Sequence, residues 1–179
     1  MLTSIFDFNR DNYAGSINAP IELVQYSDYQ CAHCLDVLAV IEHLQSAMGK
    51  HIRFVFRNFP HPNINPLCLD MAVAAEAADL QGKFWEMHNL IYRNQNYLNR
   101  SSVNWFAEEI GLNMNQFTQK RESRKLFTKI SDDFESGIRS GVNGTPTFFI
   151  NRLRYNGFND FRGLLKSCSY LMNYDLLTV

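Results

Sequence analysis

Two cysteines share one short motif, Cys31-Ala32-His33-Cys34, and their spacing decides what they can do. In the chain-entropy view a disulfide across so small a loop adds only about 2 kcal/mol, against about 3 for a fifteen-residue loop. The pair is poorly placed as a staple and well placed for thiol–disulfide exchange. The attacking species in that chemistry is the thiolate, so one sulfur must ionise below the free cysteine value of about 8.5. Unpaired N–H groups at the start of a helix favour an anion by about 0.3–1 kcal/mol. A protonated His33 within ~4 Å of the sulfur would add up to about 4 kcal/mol at an effective dielectric near 20. Cys31, first and more exposed, is expected to attack. Cys34, one turn further on and on the apolar face, is expected to resolve the mixed disulfide. Zinc is the rival use of such a pair. It needs two more ligands, and the sequence has neither a second C-x-x-C nor a closely spaced histidine pair. His61 and Cys68 are the nearest candidates, but they fall in a proline-rich turn and a helical block, so no metal is expected.

The elements around the motif follow from periodicity. Residues 21–26 read as a strand introduced by Pro20. After Ser27-Asp28-Tyr29-Gln30 the period changes: Cys34, Leu38, Ile41, Leu44 and Met48 lie on one face of a helix that Gly49 can end. A second strand covers 51–57 with Ile52, Phe54 and Phe56 on one face, and Pro60, Pro62 and Pro66 end it. Helices are expected over 71–80, 83–92, 102–110, 115–120 and 125–138, with Phe84, Met87, His88 and Ile91 on one stripe. Strand character returns at 147–150. Asn151-Arg152 reads as a tight turn before a short strand at 153–155, and a last helix covers 160–172. The order is β-α-β, a helical block, then β-β-α: a right-handed parallel unit first and a hairpin last.

Composition bounds the function. With 179 residues, 46% of them hydrophobic, the chain can bury one sizeable core. Lys+Arg 17 against Asp+Glu 18 leaves no basic surface for nucleic acid or an anionic membrane. No apolar run approaches the roughly 18 residues of a spanning helix. The first residues, Met1 to Phe8, lack a basic and then apolar signal, so the cytoplasm is the expected compartment. A leader removed beforehand would place the same chain in the periplasm or otherwise outside the cytoplasm. Cys68 and Cys168 read as core-filling thiols, with pairing to each other the alternative. His43, His51 and His88 read as structural, and Lys120 to Lys125 as a solvated face. Phe84 and Trp85 read as core of the helical block, with lining a substrate groove the alternative. Tyr26, Tyr29 and Phe59 either wall the surface around Cys31 or pack inside.

From Asn18 to about Leu171 the chain resembles the DsbA-like thiol–disulfide oxidoreductases. The resemblance rests on Asn18-Ala19-Pro20, the stretch from Ile21 to Cys34, Phe56-Arg57-Asn58-Phe59-Pro60, Phe84-Trp85-Glu86-Met87-His88, and Gly141 to Asn151. It implies an α/β, thioredoxin-like fold (βαβ … ββα) interrupted by an inserted all-helical domain. Residues 1–62 would form its first half, 63–140 the insertion and 141–179 the second half. It also implies that Thr145-Pro146 is a cis-proline loop beside the cysteines, where the Thr145 backbone pairs with substrate. Thr145, Pro146 and Ala32 are then the expected substrate-binding residues, and Cys31, Cys34 and His33 the catalytic ones. No cofactor beyond the redox-active disulfide is implied. The implied partners are protein or peptide thiols and disulfides, plus a protein that recycles the pair.

Two positions depart from the pattern. Ala32 stands where the best-known members carry proline. Gln25 stands six residues before Cys31, where many carry a buried acid; it can hydrogen-bond but not titrate. Asp28 is a weak substitute whose simpler role is in the turn. Two other functions fit the same fold: a glutathione-dependent transferase or isomerase, which usually lacks the second cysteine, and a peptide-binding module indifferent to loss of Cys31.

Overall fold

The computed structural model describes residues 1–177, with side chains through Asn173. Its sheet comprises β1 (Asn12–Gly15), β2 (Ile21–Ser27), β3 (Ile52–Asn58), β4 (Thr147–Ile150) and β5 (Leu153–Arg154), in the order β1-β3-β2-β4-β5. The helices are α1 (Ala32–Asp36), α2 (Leu38–Met48), α3 (Cys68–Asp79), α4 (Phe84–Arg93), α5 (Ser102–Glu109), α6 (Met114–Arg121), α7 (Arg124–Arg139) and α8 (Phe161–Leu177). Helices α3 to α7 all lie between β3 and β4 in the chain. Strand β2 runs parallel to β3 and antiparallel to β4, so it is paired on both edges and all seven of its residues are buried. Gly49 ends α2 at φ 53°, and Asn151 and Arg152 both take positive φ in the β4–β5 turn.

Two features differ from the sequence reading. Strand β1 carries no hydrophobic alternation; its four residues become a strand only by pairing antiparallel with the edge of β3. Gly15 makes that pairing possible, because its φ is 95° and a Cβ there would collide with the Ile52 carbonyl. The helix expected to run unbroken from the motif to Met48 divides at Val37, whose φ and ψ are −86° and −6°. The buried positions Cys34, Val37, Ile41 and Leu44 run straight through the break, so apolar spacing carries no sign of it.

Alternation along the strands separates two cores. Ile21 and Leu23, with Ile52, Phe54, Phe56, Phe148 and Ile150, face the larger one, where α2, α8 and the first inserted helices pack. Val24 and Tyr26, with Val55 and Phe149, face the smaller, closed by Leu2, Phe59, Val142 and the half-buried Phe134 of α7. Helix α7 lies very close to the sheet at Gly137. A Cβ there would sit 2.6 Å from a Phe59 ring carbon and 3.1 Å from Tyr26.

Buried polar networks tie the layers together. Arg57, 2% exposed, grips Asp11 through two bonds of 2.8 and 2.9 Å and donates to the Ser4 and Ile5 carbonyls and to the Tyr26 hydroxyl. That satisfied guanidinium fastens the amino-terminal segment over β3. Glu76 of α3 accepts from Asn12 at 2.8 Å, Asn58 at 2.7 Å and Lys129 at 2.7 Å, joining β1, β3 and α7. Burial pushes the Glu76 carboxyl up to about 7, although Lys129 opposes the shift.

Gly137→Ala is expected to lower stability by about 1–3 kcal/mol through overpacking, although alanine is the better helix former by about 1 kcal/mol; denaturant unfolding measures it. A carboxyl raised on folding contributes stability that is complete below its ordinary 4.5 and is lost as the pH rises through about 7. The parent should therefore lose stability relative to Glu76→Gln across that window, in urea titrations at successive pH values.

Candidate active site

Strand β2 ends at Ser27, and the chain must turn before α1 begins. Asp28 holds that turn. Its carboxylate accepts from the Gln30 N–H at 2.8 Å, the His61 N–H at 3.1 Å and the Asn65 amide at 2.8 Å. Gln30 accepts from the Leu67 N–H at 2.5 Å. From the far side, the Gln95 amide donates to the Tyr29 carbonyl at 2.8 Å and the Cys31 carbonyl at 3.0 Å. Three side chains thus bind the turn to the segments before and within the helical insertion. Asp28 is 1% exposed and is a turn residue. Gln95 was not visible in the sequence, because it lies in a polar stretch with no motif.

The two sulfurs are both free thiols and differ in surroundings. Cys31 caps α1 in an extended conformation and is half-buried. Cys34 is 1% exposed. Cys31 is held down to about 5, first by a hydrogen bond from the Cys34 thiol, against a cost of burial. The Thr145 side chain and the peptide N–H groups of Cys34 and His33 add to that lowering. Cys34 is pushed up, first by burial and then by its bond to Cys31, while the Asp28 N–H and the Ser27 side chain oppose the rise. As a thiol, Cys31 donates to the Thr145 carbonyl at 3.2 Å. The Thr145–Pro146 peptide is cis, and the Thr147 hydroxyl donates to the Gly144 carbonyl at 2.7 Å within the same loop.

The structure brings His33 to the site by its backbone. The ring is 84% exposed, and its Nδ1 lies 3.6 Å from the Asp36 carboxylate one turn along the helix. Residues three apart share a helix face, so the ring meets Asp36 rather than the sulfur below it. Ala32 is exposed beside Cys31. Tyr26, Tyr29 and Phe59 are almost fully enclosed and pack inside, not around the mouth of the site. Gln25 is buried and donates to the Ser27 hydroxyl at 3.0 Å; Ser27 in turn meets the Tyr92 hydroxyl at 2.8 Å. Ser27 and Tyr92 were also missed, although period-two alternation from Gln25 would have pointed to Ser27. His88, buried and pushed down to about 3, bonds the Tyr29 hydroxyl at 3.0 Å. Trp85 packs on Phe54 and Phe84 and donates to the Tyr13 carbonyl. Cys68 and Cys168 are separate free thiols, not a pair, each pushed up to about 12 by burial. Among the described residues, no three His, Cys, Asp or Glu side chains gather as a metal site requires.

Comparison with known proteins bears on the family and the fold. The sequence profile described as thioredoxin matches residues 9–167. A thioredoxin-like oxidoreductase from Silicibacter pomeroyi superposes with a TM-score of 0.82 at 24% identity, covering 93% of this chain and 94% of that one. The thiol-disulfide exchange protein alpha-DsbA2 of Wolbachia pipientis superposes with a TM-score of 0.83 at 24% identity, covering 93% and 89%. A curated relative, a Na(+)/H(+) antiporter NhaA 1 of Mycolicibacterium gilvum, is 35% identical over 163 residues, 90% of this chain and 26% of its own length. The chain spans about a quarter of the length of the curated relatives it matches. Among the described residues, no helix is long and apolar enough to cross a membrane. The chain belongs to the thioredoxin family, and its fold is the DsbA-like form, with helices inserted between β3 and β4.

Proposed function

We propose that this chain is a thiol–disulfide oxidoreductase of the DsbA type, exchanging disulfides with protein or peptide substrates through Cys31 and Cys34. The observation that carries the reading is the unequal solvation of two adjacent sulfurs. One is half-buried and its thiol is held down; the other is sealed and its thiol is pushed up. In the oxidising direction a substrate thiolate attacks Cys31 of the disulfide, and Cys34 leaves. A second substrate thiolate then attacks the substrate sulfur of the mixed disulfide, and Cys31 leaves as a stabilised thiolate. Two electrons pass from substrate to the pair, and a second protein must reoxidise it. The disulfide itself is the redox element, with no organic cofactor or metal in the scheme.

Thr145 and Pro146 orient the substrate in this reading. When Cys31 ionises, it no longer donates to the Thr145 carbonyl, which is then free to accept an N–H from an extended substrate chain. Ala32 leaves the approach to Cys31 open. His33 acts through its N–H, with its exposed ring a minor influence on the sulfur. The antiporter relatives match over a quarter of their length, and their name carries no substrate to this chain.

Cys31→Ser is expected to abolish exchange, and Cys34→Ser to accumulate mixed disulfides on non-reducing gels. Exchange surviving Cys31→Ser would turn the reading toward a peptide-binding module. Cys34→Ala should raise the Cys31 pKa toward the ordinary cysteine value, whereas His33→Ala should leave it nearly unchanged; alkylation rates against pH read both. A stabilised thiolate favours the reduced pair at neutral pH, hence an oxidant. With Cys68 and Cys168 replaced, the potential in glutathione buffers should lie above about −200 mV, which suits a compartment outside the cytoplasm. A value near −270 mV would assign a reductant of the cytoplasm instead.

A further inference from the structure

Gln95 opens a short 3₁₀ turn, Gln95–Tyr97, that follows α4. The chain is fixed locally there: the Asn94 N–H and its side-chain amide both donate to the Leu90 carbonyl, at 3.1 and 2.9 Å. Gln95 is left to reach outward, and its half-buried side chain crosses to the segment before α1. One nitrogen meets two oxygens, the Tyr29 carbonyl at 2.8 Å and the Cys31 carbonyl at 3.0 Å. Both partners only accept, so the amide nitrogen must face them, and its two protons are both engaged.

Cys31 is thereby held from three directions. Its N–H donates to the Asp28 carbonyl at 3.1 Å, within the turn. Its sulfur donates to the Thr145 carbonyl at 3.2 Å, in the loop before β4. Its own carbonyl accepts from Gln95, and this is the grip of the insertion. The same carbonyl accepts the Cys34 N–H at 3.0 Å and the Leu35 N–H at 3.3 Å as α1 begins. The Cys34 N–H therefore has two claimants, because it also favours charge on the Cys31 sulfur. A carbonyl oxygen has two lone pairs, so one filled by Gln95 leaves less demand on the shared N–H. Tyr29 is 1% exposed, and a buried carbonyl left unpaired there would be costly.

We propose that Gln95 is a positioning residue for the nucleophile: its amide satisfies the Tyr29 and Cys31 carbonyls, which leaves the N–H groups at the start of α1 directed at the sulfur. The role rests on the reading of Cys31 as the attacking thiol. It makes the insertion a contributor to the reactivity of the sulfur, acting through the backbone from a neutral side chain 64 residues away in sequence.

Alkylation of reduced chains by iodoacetamide, with Cys68 and Cys168 replaced, reads the role through the pH midpoint of Cys31. Gln95→Met keeps the length of the side chain and removes both donated protons. It should raise the midpoint and slow alkylation below the parental midpoint roughly fivefold, the effect of one neutral hydrogen bond. Urea unfolding should show that the variant is folded. Gln95→Lys returns a donor, and in about 1 M salt, where charges are screened within ~3 Å, it should restore the parental midpoint. Gln95→Glu keeps the shape but presents an acceptor to both carbonyls. In the same salt its midpoint should exceed the parental one, which decides the matter if Gln95→Met does not fold. A raised midpoint that Gln95→Lys fails to restore overturns the role, because shape rather than donation then matters. A low parental midpoint that neither Gln95→Met nor Gln95→Glu moves overturns the role alone. A parent Cys31 that titrates as an ordinary cysteine overturns the role together with the proposed function.

Discussion

A buried sulfur stands one helical turn from a half-buried one, and the rest of the structure serves that difference. Burial, the first cause, disfavours a charge on Cys34, and a bond from Cys34 favours a charge on Cys31, so the two sulfurs shift in opposite directions. The asymmetry requires one sulfur at the rim of a helix start and its neighbour inside the core. The C-x-x-C spacing provides that placement only if the turn before α1 holds still.

The helical insertion holds it. Gln95 binds two carbonyls of the turn, and the stretch from His61 to Leu67 supplies three N–H donors to Asp28 and Gln30. Tyr92 of α4 reaches Ser27 at the end of β2. The insertion is therefore part of the site's support. Its own attachment depends on Glu76, Lys129 and Asn58, and on the close passage of α7 over Tyr26 and Phe59. Buried polar groups of this kind are costly when left unpaired.

Much of this was legible in one dimension. The C-x-x-C at a strand-to-helix junction, the parallel βαβ unit, the helical block, the terminal hairpin and the stop at Gly49 all follow from spacing and local backbone chemistry. Strand β1 was not legible, because an edge strand of four residues exists by virtue of its partner. The break at Val37 was hidden by an apolar pattern that continues across it. His33 carries a charge-capable ring in the right motif, yet the backbone aims that ring at Asp36.

What the sequence by itself determined is therefore the chemistry on offer and the elements that offer it, since period, turn residues and motif spacing act over a few neighbours. Only the tertiary structure decided which groups meet the sulfurs. Thr145 lies 114 residues from Cys31 and Tyr92 lies 65 from Ser27, and no local pattern links them. Their approach is set by sheet register and by the packing of the insertion, which are properties of the whole core. The ionisation of Cys31 belongs to that arrangement, because a pKa responds to burial and to donors in space rather than to neighbours in the chain.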